Sequence, residues 1–362
     1  MPTWPDRRYL ELVGIEHPIV QAPMAGAAGA ELAIAVAEAG GLGSLPCGML
    51  GVAEAGAQLD KIRQHTDRPI NVNVFCHVAP QPDAAGERRW RERLARYYAE
   101  LEVAPGEAPA GASRTPFGDD MCALLLAKRP RVVSFHYGLP APVLIERLKG
   151  AGAIVQSSAT TVAEARWLEQ HGADAIIAQG LDAGGHRGMF LTDDLAQQVG
   201  TFALIPQIAD AVRVPVIAAG GIADARGMVA ALALGASAVQ IGTGYLLCPE
   251  ATISAAFRSA LRSAADDSTK LTNVFSGRPA RSIVNRLMRE LGPLCADAPP
   301  FPLAAGALQP LRRAAEAAQS ADFSPLLAGQ AAPLARAIAA GALTRALAGE
   351  AQALLQRLGQ RA

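Results

Sequence analysis

Two histidines have settings suited to proton transfer. His186 lies in "GLDAGGHRG" (180–188), where four of nine residues are glycine, and His136 lies in "SFHYG" (134–138). Glycine lets a backbone come close to a ligand, and a neutral imidazole accepts a proton near pH 7. The plain alternative for each is a structural histidine in a turn. His136 has another role open to it, orienting a substrate by hydrogen bonding. Asp182 is the carboxylate nearest to His186 in sequence and is a candidate for tuning it. His17, His65 and His171 fall in turns or late in helices, and His77 follows a strand end.

A second set of residues suits anion and ring binding. "AAGGI" (218–222) and "QIGTG" (240–244) lie one unit apart. Gly220, Gly221 and Gly242 allow close backbone approach, and the Thr243 hydroxyl can donate, so the pair reads as a phosphate site. Pro23 and Met24, in "QAPMAG", stop the first strand and expose backbone amides, or else form a plain turn into the helix. Asn71 and Asn73 share one face of "NVNVF" by alternation. A buried asparagine needs hydrogen-bond partners, which the polar edge of a planar ring would supply. Gln179 and Gln240 offer the same, or else fill the interior.

These residues need a frame that brings strand ends together. Apolar runs at 18–24, 41–46, 69–75, 131–138, 153–159, 174–180, 214–221 and 238–244 alternate with helical stretches. The pattern predicts a parallel sheet covered by helices. Eight units over about 250 residues predict a (β/α)8 TIM barrel, whose functional residues lie at the C-terminal strand ends. A doubly wound sheet is the rival. It ranks lower because the strands are evenly spaced and nearly all end in polar residues. Thr160 or Thr161 and Asp224 suit N-caps.

The expected organisation is a barrel over 1–264 with a long insertion at 77–130. A small helical subdomain over 265–325 would cover the barrel mouth. A helical segment, 326–362, would dock back on the barrel. Within the insertion, a polar helix precedes the Pro/Gly/Ala-rich "VAPGEAPAGASRTPFG", a stretch typical of lids and mobile loops.

Composition narrows the function classes. Hydrophobic residues make up 51% and charged residues 18%, enough for a large core. Lys plus Arg and Asp plus Glu are 33 each, so no net charge favours nucleic acid or an anionic membrane. The five cysteines form no C-x-x-C pair and fit neither a zinc site nor a disulfide framework. They read as reduced thiols of a cytoplasmic protein without a metal. No secretory signal and no membrane span are expected.

Taken together, "QAPMAG", "VNVF", "SFHYGLP", "QGLDAGGHRG", "AAGGI", "VQIGTGYL", "FSGRPAR" and "LLAGQAA" make the chain resemble the nitronate monooxygenase family, from Gln21 to about Ala332. The resemblance implies non-covalent FMN in a TIM barrel with a smaller added domain. It implies a flavin shell of Met24, Asn73, Gln179, Gly184, Gly185, Gly220, Gly221, Gln240, Gly242 and Thr243, with Ser276 as a further contact. His186 matches the catalytic base and His136 a second active-site histidine. The implied reaction oxidises alkyl nitronates, such as propionate 3-nitronate, with O2 to a carbonyl compound and nitrite. An NAD(P)H-dependent quinone or enoyl-thioester reductase on the same FMN barrel is the alternative, and a non-catalytic FMN-binding protein is another. Bacterial members of the family carry a Tyr–Tyr–Lys cluster in "YPLxYxxxK". Here the segment reads "FPLAAGALQ", with Phe301, Ala305 and Gln309 in those places. Arg278 and Arg281 are the candidate replacements for the lost cation.

Overall fold

The computed structural model describes residues 4–81, 83–105 and 114–360. Its main sheet has eight parallel strands: β1 (Ile19–Gln21), β2 (Gly43–Pro46), β3 (Ile70–Phe75), β4 (Val132–His136), β5 (Ile154–Ala159), β6 (Ala175–Gln179), β8 (Val216–Ala219) and β9 (Ala238–Ile241). Their order is β1-β9-β8-β6-β5-β4-β3-β2. A parallel bridge between Val20 and Leu42 joins the two edges. Gln21 N donates to Leu42 O at 2.9 Å across that seam. The ring is therefore a TIM barrel, with helices between its strands.

Local sequence explains the helix boundaries beside the site. Thr161 Oγ1 accepts from Glu164 N at 3.2 Å and caps helix Val162–Gln170. Asp224 accepts from Arg226 N and Gly227 N and caps helix Ala225–Ala233. Gly172 and Gly235 follow these helices with φ of +97° and +100°, a conformation that glycine adopts without strain.

Outside the barrel, β7 (Gly185–His186), β10 (Thr269–Thr272) and β11 (Ala280–Ile283) form an antiparallel sheet in the order β10-β11-β7. The 265–325 segment thus holds two strands as well as helices Arg286–Leu291 and Ala304–Ala317. Its strand content escapes periodicity, because four-residue strands such as "ARSI" are too short to display alternation. The sheet has a clear consequence, since Ala280 pairs with His186 and Arg281 with Gly185. The loop after β6 is thereby tied to the added segment.

The insertion between β3 and β4 supplies helix Ala84–Glu100, which packs on the same segment. Trp90, Leu94 and Tyr97 are buried against Leu287, Met288, Leu311 and Phe323. Trp90 Nε1 donates to Ala304 O at 3.1 Å. The insertion helix and the 265–325 segment therefore share one second core. Much of the Pro/Gly/Ala-rich stretch, 106–113, lies outside the described residues. Helix Ala340–Gly359 lies on helices Ala30–Glu38 and Ala225–Ala233 of the barrel. It buries Leu343, Leu347 and Ala351 there.

Candidate active site

The C-terminal strand ends open into a cavity of about 960 Å³. The two histidines, Ser276 and the expected flavin shell line it, among them Met24, Asn73, His136, His186, Gly220 and Thr243, whereas Asn71, Asp182, Arg278 and Arg281 do not. The barrel gathers all of them but Ser276 at its strand ends and the loops after them, and Ser276 comes from the turn between β10 and β11.

At the end of β8, Gly220 has φ +116° and Gly221 φ +67°. A Cβ on Gly220 would sit 2.7 Å from Thr201 Oγ1 and 2.9 Å from Ala183 N. No side chain fits there, so the backbone itself forms the wall. Thr243 Oγ1 accepts from Gly329 N at 2.9 Å. Gln240 lines the cavity, and its Oε1 is buried without a partner. An unsatisfied buried carbonyl is costly, and a bound donor such as a ring N–H would relieve it.

Asn73 donates through Nδ2 to Ser134 O and Ser134 Oγ, at 3.2 and 3.0 Å. Gln179 uses both ends of its amide on the loop that carries His186. Nε2 donates to His186 O at 2.9 Å, and Oε1 accepts from Gly188 N at 2.8 Å. Arg187 is fully buried and donates to Gln198 Oε1, Gly180 O and Gln179 O at 2.9, 2.6 and 2.7 Å. These bonds hold the glycine-rich loop in one conformation.

His136 has a defined tautomer. A carbonyl oxygen only accepts, so Nε2 carries the proton and donates to His186 O at 3.2 Å. Nδ1 is then the acceptor, taking the Ser158 hydroxyl proton at 2.7 Å. Both nitrogens are engaged, and the ring supports the backbone of His186. Burial holds its pKa down to about 3, with Arg278 adding to the effect. Ser158 is the penultimate residue of β5, near the strand end where sequence could have flagged it.

His186 has one nitrogen anchored. Its Nε2 lies 2.8 Å from Ser276 Oγ. The Ser276 hydroxyl can in turn donate a hydrogen bond to Arg278 O at 3.3 Å. Nδ1 makes no hydrogen bond among the described residues. Burial pushes the His186 pKa well below its usual value, and Arg114, His136 and Arg278 push the same way. The ring is therefore neutral at neutral pH.

Asp182 does not face His186. Its carboxylate accepts from Thr201 N and Thr201 Oγ1, both at 2.6 Å. Proximity in sequence was misleading because the chain turns between the two residues. Arg281 is likewise engaged elsewhere, with Leu181 O at 3.0 Å and Thr269. Arg278 donates through Nη2 to Met189 O, and its guanidinium carbon lies 4.2 Å from the centre of the Tyr137 ring. Tyr137 takes φ +72°, rare for a bulky residue and often found at functional sites.

Phe301 takes the centre of an aromatic cluster. Its ring lies 4.9 Å from His77, 5.4 Å from His186 and 5.5 Å from Tyr137. Arg114 sits 5.0 Å from the same ring. Sequence reading left His77 open and missed Arg114, which lies in a stretch without periodicity.

The nitronate monooxygenase family matches residues 7–350. The chain belongs to the nitronate monooxygenase family. A nitronate monooxygenase of Paraburkholderia phytofirmans is 43% identical over 98% of this chain and 97% of its own length. One from Pseudomonas aeruginosa is 42% identical, covering 95% and 98%. Nitroalkane oxidase from Streptomyces ansochromogenes has a similar structure, with TM-score 0.88 and 40% identity over 97% of this chain and 99% of that one. Membership in the nitronate monooxygenase family makes the chain an oxidoreductase of nitronates or nitroalkanes. Among the described residues, no helix is long and apolar enough to cross a membrane.

Proposed function

We propose that the protein oxidises alkyl nitronates with O2 to a carbonyl compound and nitrite, and that it accepts neutral nitroalkanes through His186. The observation that carries this reading is the His186–Ser276 pair beside the cavity. With Nε2 donating to Ser276 Oγ, the Nδ1 lone pair is left to take the proton from the carbon bearing the nitro group. A base must be unprotonated to act, and burial keeps this one so.

The cavity fits FMN. The glycine walls at Gly220, Gly221, Gly242 and Gly184 suit a phosphate and its ribityl chain, and Gln240 Oε1 suits a ring N–H. Met24, Asn73, Gly185 and Thr243 complete that shell, while Gln179 contributes wall rather than a free amide. Bound FMN supplies the electron-accepting chemistry. His136, by contrast, is a positioning residue, since both its nitrogens serve the protein.

The decisive experiment compares two substrates. His186→Asn should lower nitrite release from 2-nitropropane by roughly 10²- to 10⁴-fold and affect preformed propane 2-nitronate much less. Equal loss on both would remove His186 from the proton transfer. Mixing the purified protein anaerobically with NADH or NADPH separates the reductase reading. The flavin spectrum should stay oxidised, and rapid bleaching would favour a reductase.

A further inference from the structure

Arg114 is a cation at the cavity wall that has no counterion among the described residues. Its guanidinium lies 5.0 Å from the Phe301 ring, and its Nη1 is buried with no hydrogen-bond partner. Arg278, beyond Tyr137, has a buried Nε that is also unpartnered, as is the Tyr137 hydroxyl. Among the described residues no ion pair includes Arg114 or Arg278. His77, His136, Tyr137 and His186 all feel positive charge from one or both arginines. A desolvated cation without an acid is costly, so this wall is built to receive an anion.

That anion is not the cofactor phosphate. Arg114 enters beside β3, where Phe117 N donates to Phe75 O at 2.8 Å. The glycine walls end β8 and β9, on the far side of the ring in the strand order. Phe301, Ala305 and Gln309 present no cation at this place, and Gln309 Oε1 is itself buried and unpartnered.

We propose that Arg114 is a specificity-determining residue whose Nη1 anchors a second anionic group on the substrate, a carboxylate, while the reacting carbon lies at His186. The cation lost from the 301–309 segment is thus supplied from a different part of the chain. The assignment rests on the proposed function for the reacting group but not for the anchor.

The test uses the flavin-loaded enzyme and two substrates of equal chain length, propionate 3-nitronate and propyl-1-nitronate. Arg114→Gln should lower the preference for the charged substrate, read as the ratio of kcat/KM values, by about 10- to 100-fold. Arg114→Lys should restore part of that ratio. Anaerobic calorimetry with 3-nitropropionate and 1-nitropropane gives the same comparison without turnover. A wild-type enzyme with no preference, or a variant that weakens both ligands equally, overturns the assignment. If no nitronate is turned over, the proposed oxidation fails, and the calorimetric ratio still decides the role of Arg114.

Discussion

The Nε2 atom of His186 lies 2.8 Å from the Ser276 hydroxyl, across 90 residues of chain. The pairing exists because β7 and β11 run side by side, which sets the "SGRPAR" turn against the glycine-rich loop. It leaves Nδ1 as the ring nitrogen without a hydrogen bond among the described residues, the atom proposed to take the proton.

Removing the hydroxyl should loosen the base without removing it. Ser276→Ala is expected to lower kcat for 2-nitropropane about tenfold, with a smaller effect on preformed nitronate. Nitrite release from the two substrates measures the split. An equal fall on both would mean that Ser276 serves a different step.

The pH profile should reflect a depressed histidine. Burial, with the positive charge of Arg114 and Arg278, favours neutral His186. A lowered pKa keeps the base form present below the usual value of 6.5. Turnover of neutral nitroalkanes should therefore stay level from pH 8 through 6.5 and fall only at lower pH. Arg278→Gln removes one of the opposing charges and should move that acid limb upward. A limb at or above pH 6.5 in the unmodified protein would contradict the depressed histidine.

Gly184 has no room for a side chain. A Cβ there would lie 2.5 Å from Gly329 N and 2.6 Å from Ala328 C, both backbone atoms. Gly184→Ala should cost about 1–3 kcal/mol and lower Tm by a few degrees. It should also reduce the flavin retained through purification. Thermal denaturation and the absorbance ratio of flavin to protein check both effects.

Arg187 is a structural cation next to the proposed base. Its three hydrogen-bond acceptors are Gln198 Oε1, Gly180 O and Gln179 O. Arg187→Met leaves these unsatisfied and should destabilise the protein by about 2–5 kcal/mol. Urea denaturation measures it. Activity that falls with no change in stability would assign Arg187 to the chemistry instead.

Much of this architecture is written locally in the chain. Apolar runs with polar endings report strands that are buried on both faces and open at one end, and so the barrel. Thr161, Asp224, Gly172 and Gly235 mark their helix ends through bonds and dihedrals only a few residues long. The glycines of "AAGGI" and "QIGTG", and both histidines, fall at strand ends by the same count. Cavity walls at Met24, Asn73 and Gln240 follow from strand position alone.

Side-chain partners are a different matter, because they join segments whose distance in sequence carries no period. Asp182 is near His186 in the chain yet bonds Thr201, since the loop turns between them. Ser276, distant in sequence, is the real partner of His186 through an antiparallel pairing that two short strands do not announce. Arg114 reaches Phe301 from an irregular stretch, where no pattern reports burial. The sequence alone determined the barrel, its catalytic end and the residue types available there. Only the tertiary structure decided which nitrogen of each histidine is occupied and where uncompensated charge lies, because both depend on contacts made after the chain has closed.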